Sequence, residues 1–236
     1  MKDKINLGIV GKNFGYKVIY NAIKDDKSFN VLGFAFKKKN KVKELPEGIK
    51  IYQNWKKLIL DKKIDSIVIS SPPLTHLKII NFAIKNNKNI FCEKPVTTSL
   101  NDILKISELA KNKKIVFMVN YEFLNIDAFK IFKKEYLKDI KVKKVNIDWL
   151  LNVSQSKRSS WKNTHLNGGG NFFNYICHVL FYLEKLFGKL TIYKSKILNS
   201  KGELNYDFIF FIKKKKLKFY LILKYQIIKN PNHFID

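Results

Sequence analysis

Short apolar runs alternate with segments of helical spacing over the first half of the chain. The runs are rich in Ile, Val and Phe and are bounded by polar or turn residues, which is typical of buried strands. They cover residues 5–10, 31–36, 64–69, 89–92 and 115–119. Between them, apolar residues three and four positions apart predict helices over residues 16–24, 55–60, 77–84 and 103–110. Because parallel neighbouring strands need crossover helices, residues 1–121 are predicted to form a doubly wound parallel α/β domain.

The pattern changes after residue 121. A predicted helix over residues 126–137 precedes a strand over 142–151, a polar loop over 152–167 and an apolar helix over 171–187 that Gly188 ends. Three strands then follow one another, over residues 190–198, 204–212 and 217–228, the last two joined across a lysine run. Residues 122–236 are therefore predicted to form an α+β domain with a mainly antiparallel sheet. The chain stops without a closing helix, which favours a shortened domain.

The last two predicted strands show little alternation between apolar and polar positions. Residues 208–212 and 219–223 are almost continuously apolar, so they would expose apolar surface unless something covered them. We therefore expect a homo-oligomer that forms through the C-terminal sheet. A truncated, poorly soluble product is the alternative.

Charge restricts the classes of partner. Lys and Arg number 46 against 19 acidic residues, for a formal charge of +27, and Arg158 is the single arginine. Sequence-specific readers of nucleic acid depend on bidentate arginine contacts, so the composition argues against specific nucleic-acid recognition. Lysine on solvated surfaces is the simpler interpretation, and nonspecific attraction to polyanions stays open.

Cysteine content and the N-terminus indicate a compartment. Cys92 and Cys177 are far apart and each lies in an apolar run, which predicts neither a disulfide framework nor a metal site. The apolar stretch at residues 5–10 is too short for a signal peptide, and no window reaches the roughly 18 apolar residues of a membrane span. We expect a cytoplasmic protein with no membrane segment and no bound metal.

The first predicted strand runs into a glycine-containing turn, Gly11-Lys12-Asn13-Phe14-Gly15, and a helix follows directly. Glycines at such a turn let the backbone approach a pyrophosphate, whose charge is met by N–H groups and the dipole at the helix start. The match to Gly-x-Gly-x-x-Gly is imperfect, because Asn13 and Tyr16 occupy the second and third glycine positions. An ordinary tight turn is the alternative, but the place on the first strand of a βαβ unit favours a dinucleotide-binding loop.

The end of the second predicted strand carries lysines. A site that prefers NAD places an acidic residue here, which binds the ribose 2′-hydroxyl. Phe36 is instead followed by Lys37, Lys38 and Lys39. Ammonium groups attract a 2′-phosphate, so the chemistry leans to NADP, although lysine is abundant throughout the chain.

Three further blocks follow in order along the chain. Residues 70–76 (Ser-Ser-Pro-Pro-Leu-Thr-His) come after the third predicted strand and residues 91–95 (Phe-Cys-Glu-Lys-Pro) end the fourth. Three glycines at 168–170 precede Asn174 and His178. This order and spacing resembles the glucose-fructose oxidoreductase, inositol dehydrogenase and rhizopine-catabolism (Gfo/Idh/MocA) family over nearly the whole chain. The resemblance implies a Rossmann-type domain at residues 1–121 and a substrate and oligomerisation domain at residues 122–236.

The resemblance also implies a cofactor site for NAD(P). Ser71, Pro72 and His76 resemble the turn that lines the cofactor, Glu93 resembles the residue that holds the nicotinamide ribose, and Lys94 resembles the lysine beside the nicotinamide. The residues expected to bind the cofactor are Gly11, Lys12, Asn13, Phe14, Gly15, Lys37, Ser71, Pro72, His76, Glu93 and Lys94.

Three residues are candidates for catalysis: Lys94, His178 and Asn174. The resemblance identifies His178 with the catalytic histidine and places Asn174 where active members usually carry an aspartate. Oxidation of a secondary alcohol needs a base with a pKa near neutral, which suits histidine, while Lys94 would polarise the oxygen. An amide accepts no proton and does not stabilise an imidazolium as a carboxylate does, so Asn174 predicts slow, altered or absent catalysis.

The expected function is that of an NAD(P)-dependent oxidoreductase acting on a secondary hydroxyl or keto group of a sugar, cyclitol or sugar nucleotide. The alternative is a catalytically impaired or truncated remnant that binds the dinucleotide or a protein partner without turnover. Asn174 and the early end of the chain favour the alternative. Retention of Glu93, Lys94 and His178 together favours the enzyme.

Overall fold

The computed structural model describes residues 4–36, 45, 47–136, 144–152, 170, 172–200, 203–214 and 217–228. These residues divide into two compact units. Described residues up to Asn120 form the first unit, and those from Tyr121 onward form the second. Among the described helices, none has both the length and the apolar character needed to cross a bilayer.

A six-stranded sheet is the basis of the first unit. Its strands are β1 (Ile5–Val10), β2 (Phe29–Ala35), β3 (Lys50–Tyr52), β4 (Ser66–Ile69), β5 (Asn89–Cys92) and β6 (Phe117–Val119). All neighbours are parallel, in the order β3-β2-β1-β4-β5-β6. This confirms the predicted doubly wound class, and the reversal of order at β1 and β4 marks the edge where such sheets bind ligands. The prediction lacks β3, because three residues are too few to show a period.

Helical segments between these strands follow the predicted alternation. In the described part of this unit they are a π-helical turn (Gly15–Tyr20) that continues into α1 (Asn21–Ile23), α2 (Trp55–Leu60), a 3₁₀ turn (Pro73–Thr75) that leads into α3 (His76–Lys85), and α4 (Leu100–Asn112). Side-chain caps begin two of them. Asn54 Oδ1 accepts from the Lys56 N–H at 2.9 Å, and Ser99 Oγ accepts from the Asp102 N–H at 3.3 Å. Each cap satisfies a backbone donor that the helix itself leaves unbonded.

Both faces of the parallel sheet are packed. Successive strand residues point to opposite faces, so Ile9 and Val10 belong to different apolar clusters. The Val10 cluster includes the fully buried Leu58 of α2 and Ile80 of α3, whereas the Ile9 cluster includes Tyr20. Full burial of each such aliphatic side chain contributes about 1.5–3 kcal/mol. The strands are therefore held firmly on both sides, and their carboxyl ends are a rigid support for the loops that follow.

The second unit combines helical segments with a four-stranded sheet. Its described elements are a 3₁₀ turn (Glu122–Asn125), α5 (Asp127–Ile131), a π-helical turn (Phe132–Tyr136), β7 (Lys144–Asn152), a second π-helical turn (Phe172–Ile176), α6 (Cys177–Phe187), β8 (Leu190–Ser200), β9 (Glu203–Lys214) and β10 (Leu217–Ile228). Gly188 ends α6 as predicted. It has a φ of +101°, and its N–H donates to the Glu184 carbonyl at 2.9 Å.

The sheet of the second unit has the order β7-β10-β9-β8. β9 is antiparallel to both β8 and β10, while β10 is parallel to β7, which confirms the predicted mainly antiparallel sheet. Lys214 pairs with Leu217, so β9 and β10 form the predicted hairpin, whose tip at residues 215–216 lies outside the described residues. The exposure of its apolar side chains also lies outside the description, so the homo-oligomer stays a prediction.

Three predicted helices begin or end in π-helical form. The segments predicted over residues 16–24, 126–137 and 171–187 each contain one π-helical turn joined to a shorter α-helix. A hydrophobic pattern records which residues face the core, and it does not distinguish hydrogen bonds to the fourth residue back from bonds to the fifth. In the last of these segments, Asn174 lies in the π-helical turn and His178 lies in α6.

Candidate cofactor-binding and active site

The turn after β1 approaches the end of β4 so closely that two positions exclude any side chain. Gly11 has a φ of +128°, and a Cβ there would lie 2.5 Å from Ser70 Oγ and 2.6 Å from the Ser70 carbonyl carbon. A Cβ on Gly15 would overlap Ser70 Oγ and lie 2.9 Å from Ile9 Cγ2. These distances are well below van der Waals contact, so glycine alone fits both positions. The turn therefore packs tightly against the end of β4 where a helix begins, and the start of a helix suits a phosphate group.

A lysine and an aromatic ring lie together where β1 and β2 end. The Gly11 N–H donates to the Ala35 carbonyl at 3.1 Å, which ties the turn to β2. Lys12 Nζ lies 5.9 Å from the ring centroid of Phe36. Lys37 lies outside the described residues. Lys12 thus brings a positive charge to the end of β2, where dinucleotide-binding sheets receive the adenosine ribose.

The Ser-Pro-Pro turn after β4 is closed by hydroxyl groups. Thr75 Oγ1 donates to the Pro72 carbonyl at 2.7 Å, and the Thr75 N–H donates to the same oxygen at 2.8 Å. Ser71 Oγ lies 2.6 Å from Thr75 Oγ1. Because the Thr75 hydroxyl proton is already engaged, Ser71 is the donor in this pair and keeps its lone pairs as acceptors.

His76 joins the Ser-Pro-Pro turn to the loop after β5. Its side chain is fully buried, with Nε2 2.7 Å from the Ser71 carbonyl oxygen and Nδ1 2.9 Å from the Pro95 carbonyl oxygen. Cys92 Sγ lies 3.6 Å from the same Nδ1. Burial lowers the pKa of His76, and the hydrogen bonds to the two carbonyls oppose that shift. The imidazole is enclosed, so any influence on a bound cofactor passes through the two loops that it joins.

Glu93, Lys94 and Pro95 follow β5, and the Lys94–Pro95 peptide is cis. The Glu93 N–H donates to the Ile69 carbonyl at 2.8 Å, so the backbone of this segment is bonded to the end of β4. Glu93 Oε1 accepts a 2.5 Å hydrogen bond from Asn120 Nδ2. The carboxylate is therefore fixed by a residue that follows β6.

The candidate residues of the second unit lie in an aromatic environment. His178 is buried, with an exposed fraction of 6%, and the Tyr121 ring meets it edge-on at a centroid distance of 5.8 Å. Tyr121 in turn stacks on Phe181 at 4.0 Å. Burial raises the pKa of Tyr121 to about 12, so its hydroxyl stays protonated near neutral pH. Asn174 is half-buried one turn before His178.

Comparison with known proteins places this geometry in a family. A sequence profile described as an oxidoreductase family with an NAD-binding Rossmann fold, Gfo/Idh/MocA, matches residues 5–121. The chain belongs to the Gfo/Idh/MocA family. The matched region runs from the start of β1 to Tyr121, two residues after β6, so it contains every described candidate for cofactor binding.

Two oxidoreductases have low sequence identity with this Gfo/Idh/MocA chain. An uncharacterized oxidoreductase of Synechocystis sp. is 22% identical over 191 residues, which are 78% of this chain and 52% of that protein. The myo-inositol 2-dehydrogenase of Thermotoga maritima is 25% identical over 87 residues, 36% of this chain and 26% of that protein. The match thus spans about half the length of the Synechocystis protein and about a quarter of the Thermotoga maritima enzyme.

A solved structure has a fold similar to that of this chain. Biliverdin reductase from Synechocystis sp., in complex with biliverdin and NADP⁺, superposes with a TM-score of 0.72 at 16% identity. The superposition covers 96% of this chain and 73% of that one. At this level of identity the likeness concerns the fold alone.

The parallel sheet brings most predicted cofactor residues to one edge. The glycine turn, the Ser-Pro-Pro turn and the Glu93–Lys94 segment follow β1, β4 and β5, whose carboxyl ends are adjacent. Lys94 belongs to the first unit, and Asn174 and His178 belong to the second. Among the described residues, no cluster of His, Cys, Asp and Glu is arranged to hold a metal ion.

Two residues beside the candidates were not predicted. Asn120 follows a three-residue strand, and Tyr121 is the next residue along the chain. A single asparagine or tyrosine after a strand carries no local signal of function. Their relevance follows from contact with Glu93 and with His178, which sequence spacing does not reveal.

Proposed function

We propose that this protein is an NAD(P)-dependent oxidoreductase that transfers a hydride between nicotinamide and a secondary hydroxyl or keto group. The observation that carries the proposal is the tight glycine turn between β1 and the following helix, which packs against Ser70 at the end of β4. A dinucleotide pyrophosphate binds at a turn of this kind, because N–H groups at the start of the helix can donate to its oxygens.

The cofactor residues divide by the part of the dinucleotide that they would hold. The turn from Gly11 to Gly15, with Lys12, Asn13 and Phe14 between them, would bind the pyrophosphate. Lys12 and Lys37 would meet a ribose 2′-phosphate, since ammonium groups attract the phosphate and no acidic residue follows Phe36 directly. We therefore favour NADP over NAD.

Ser71 and Pro72 would line the nicotinamide half, and the Glu93 carboxylate would accept hydrogen bonds from its ribose. The Ser71 hydroxyl keeps acceptor capacity after it donates to Thr75. Glu93 is held in one orientation by Asn120. His76 would contribute through the Ser71 and Pro95 carbonyls to which it is bonded.

Lys94 and His178 would stabilise charge and transfer the proton during the reaction. When bound, the nicotinamide supplies or accepts the hydride. Lys94 would polarise the substrate oxygen and stabilise negative charge that develops on it. His178 would remove or return the hydroxyl proton, for which an imidazole has a suitable pKa. Asn174 would orient the substrate or the imidazole by hydrogen bonding, without taking up a proton itself.

We propose a sugar, cyclitol or sugar nucleotide as the substrate class. The support is the similarity of 87 residues of this chain to the myo-inositol 2-dehydrogenase of Thermotoga maritima. Cytoplasmic location and assembly into a homo-oligomer are further predictions of the same kind, and size-exclusion chromatography with light scattering tests the second.

Nucleotide titration of the purified 236-residue protein is the first test. NADPH and then NADH are added at two salt concentrations while nucleotide fluorescence is recorded. We expect saturable binding with a micromolar Kd, tighter for NADPH than for NADH. Tighter binding of NADH would overturn the cofactor preference, and the absence of binding by a folded protein would overturn the proposal.

Turnover with a panel of sugars and cyclitols tests the catalytic assignment. Once an active substrate is found, Lys94→Ala and His178→Ala should each lower kcat by about 100-fold or more, since each removes a proton-transfer or charge-stabilising group. Unchanged turnover in both variants would show that the assignment is wrong.

Binding without turnover is the second candidate function, and Asn174 favours it. If the family carboxylate is merely missing, Asn174→Asp should create or raise turnover while the NADPH Kd stays the same. An unchanged or lower rate would mean that the site is built around the amide.

A further inference from the structure

Asn120 joins the end of β6 to the Glu93–Lys94 segment of the candidate cofactor site. It follows β6 directly, and its N–H donates to the Cys92 carbonyl at 2.9 Å, which continues the parallel pairing of β6 with β5. Its side chain contacts Glu93, the residue that follows Cys92, and Nδ2 donates to Glu93 Oε1 at 2.5 Å. Asn120 therefore holds both the backbone before Glu93 and the carboxylate of Glu93 itself.

We propose that Asn120 is a positioning residue for the cofactor site, which acts by orienting the Glu93 carboxylate. The inference rests on the proposed function, in which Glu93 binds the nicotinamide ribose. Neither the glycine turn nor the Glu-Lys-Pro segment indicates a role for the residue after β6.

The chemistry of the contact suits this role. A glutamate side chain has three rotatable bonds, so an unrestrained carboxylate would lose rotamer freedom each time a ribose bound. A hydrogen bond from a neutral amide to a carboxylate is charge-assisted and holds the acceptor in one orientation. Each carboxylate oxygen has two lone pairs, so the bond to Asn120 leaves Glu93 able to accept from ribose hydroxyls.

The neutrality of the amide also matters. An aspartate at position 120 has nearly the same shape but would set a second carboxylate against Glu93, and like charges at this separation repel. Asn120→Asp thus removes the donor with little change in volume.

Asn89 provides a matched control within the same pair of strands. It lies at the opposite, amino end of β5, where its Oδ1 accepts from the Val116 N–H at 2.9 Å. Asn89→Ala and Asn120→Ala each remove one side-chain hydrogen bond between the β5 and β6 segments. Only the second of these bonds involves a candidate cofactor residue.

The experiment measures NADPH Kd by fluorescence titration in the full chain, for the wild type and for Glu93→Gln, Asn120→Ala, Asn120→Asp and Asn89→Ala. Loss of a charge-assisted hydrogen bond changes an equilibrium by roughly 10-fold to 100-fold. We expect Asn120→Ala and Asn120→Asp to weaken binding at least about tenfold, with Asn120→Asp the weaker binder. Asn89→Ala should bind as the wild type does.

A double-mutant cycle shows whether Asn120 acts through Glu93. In the Glu93→Gln background, Asn120→Asp should have much less effect than in the wild type, because a glutamine amide can donate to the aspartate and restore the contact with donor and acceptor exchanged. Additive effects of the two substitutions would overturn the proposal, since a merely structural residue gives no such coupling.

The Kd values of the Glu93→Gln and Asn120→Ala variants distinguish a failure of this inference from a failure of the proposed function. If Glu93→Gln weakens binding and Asn120→Ala does not, the positioning role is wrong and the ribose role of Glu93 stands. If Glu93→Gln binds NADPH as the wild type does, the ribose role is wrong and the positioning role is overturned with it.

Discussion

The two ends of the parallel sheet in the first unit use side-chain hydrogen bonds differently. At the amino ends of the strands, Lys88 Nζ donates to the Asp61 carbonyl at 2.9 Å and to the Ile64 carbonyl at 2.5 Å. Nearby, Asn89 Oδ1 accepts from the Val116 N–H. All of these bonds satisfy backbone groups at the entry to a strand or at the end of a helix.

At the carboxyl ends, the bonded partners are the candidate functional segments themselves. His76 joins the Ser71 and Pro95 carbonyls, and Asn120 holds the Glu93 carboxylate. Side-chain hydrogen bonds therefore satisfy backbone groups at the amino ends of the strands, whereas at the carboxyl ends they position the candidate functional groups. The comparison predicts that substitutions at the amino ends lower stability alone, whereas substitutions at the carboxyl ends also weaken cofactor binding.

The largest effect is expected for Gly11→Ala. The added Cβ meets the Ser70 backbone, which cannot move without displacing β4, so NADPH binding should be lost and the free energy of unfolding should fall by about 2 kcal/mol or more. Gly48→Ala is the control, because Gly48 also has a positive φ of +86°, but among the described residues beyond its chain neighbours no atom lies within 4 Å of the added Cβ. It should cost about 1 kcal/mol and leave the Kd unchanged. Equal effects of the two substitutions would contradict the steric argument.

His76→Leu should lower both stability and affinity. A neutral imidazole donates to one of the Ser71 and Pro95 carbonyls, whereas leucine donates to neither, so the free energy of unfolding should fall by about 1–3 kcal/mol. NADPH binding should weaken at least about tenfold, since both loops lose their connection. The control is Ile80→Val, one turn later on α3 and fully buried, which should cost about 1 kcal/mol with an unchanged Kd. Wild-type affinity in a folded His76→Leu variant would show that His76 has no part in the site.

Lys88→Met should lower stability alone. Two backbone carbonyls lose a charged donor, so urea unfolding should show a loss of about 1–3 kcal/mol. Lys78→Met, on the exposed side of α3, serves as the control and should stay within about 0.5 kcal/mol of the wild type. A change in NADPH Kd with Lys88→Met would break the distinction between the two ends of the sheet.

The smallest expected effect is a pH dependence that originates at His76. Burial lowers its pKa in the folded protein below the ordinary value of 6.5, so the unfolded chain takes up a proton first as the pH falls. Its contribution to stability is complete above about pH 6.5 and is lost as the pH falls through the folded pKa, at no more than about 1.4 kcal/mol per pH unit. Urea unfolding between pH 7.5 and 5.0 should therefore show a steeper loss for the wild type than for His76→Gln. Identical slopes would exclude His76 as the source.

Several local features were predictable because each depends on neighbouring residues. A strand buried on both faces needs a continuous apolar run, and a crossover helix needs its apolar residues three and four apart, so the parallel sheet followed from the pattern. The stop at Gly188 is likewise local, since a positive φ at a helix end favours glycine. The short β3 and the π-helical turns were missed, because the first has too few residues and the second share the periodicity of α-helices.

The sequence by itself determined the order of strands and helices, the glycine turn and the family resemblance, because these reside in short contiguous stretches. Only the tertiary structure decided which side chains hold the site. Asn120 is 27 positions from Glu93 and His76 is 19 from Pro95, and these pairs meet because parallel strands bring their carboxyl ends to one edge of the sheet. Spacing along the chain carries no record of such contacts, since they depend on how the strands are ordered in space.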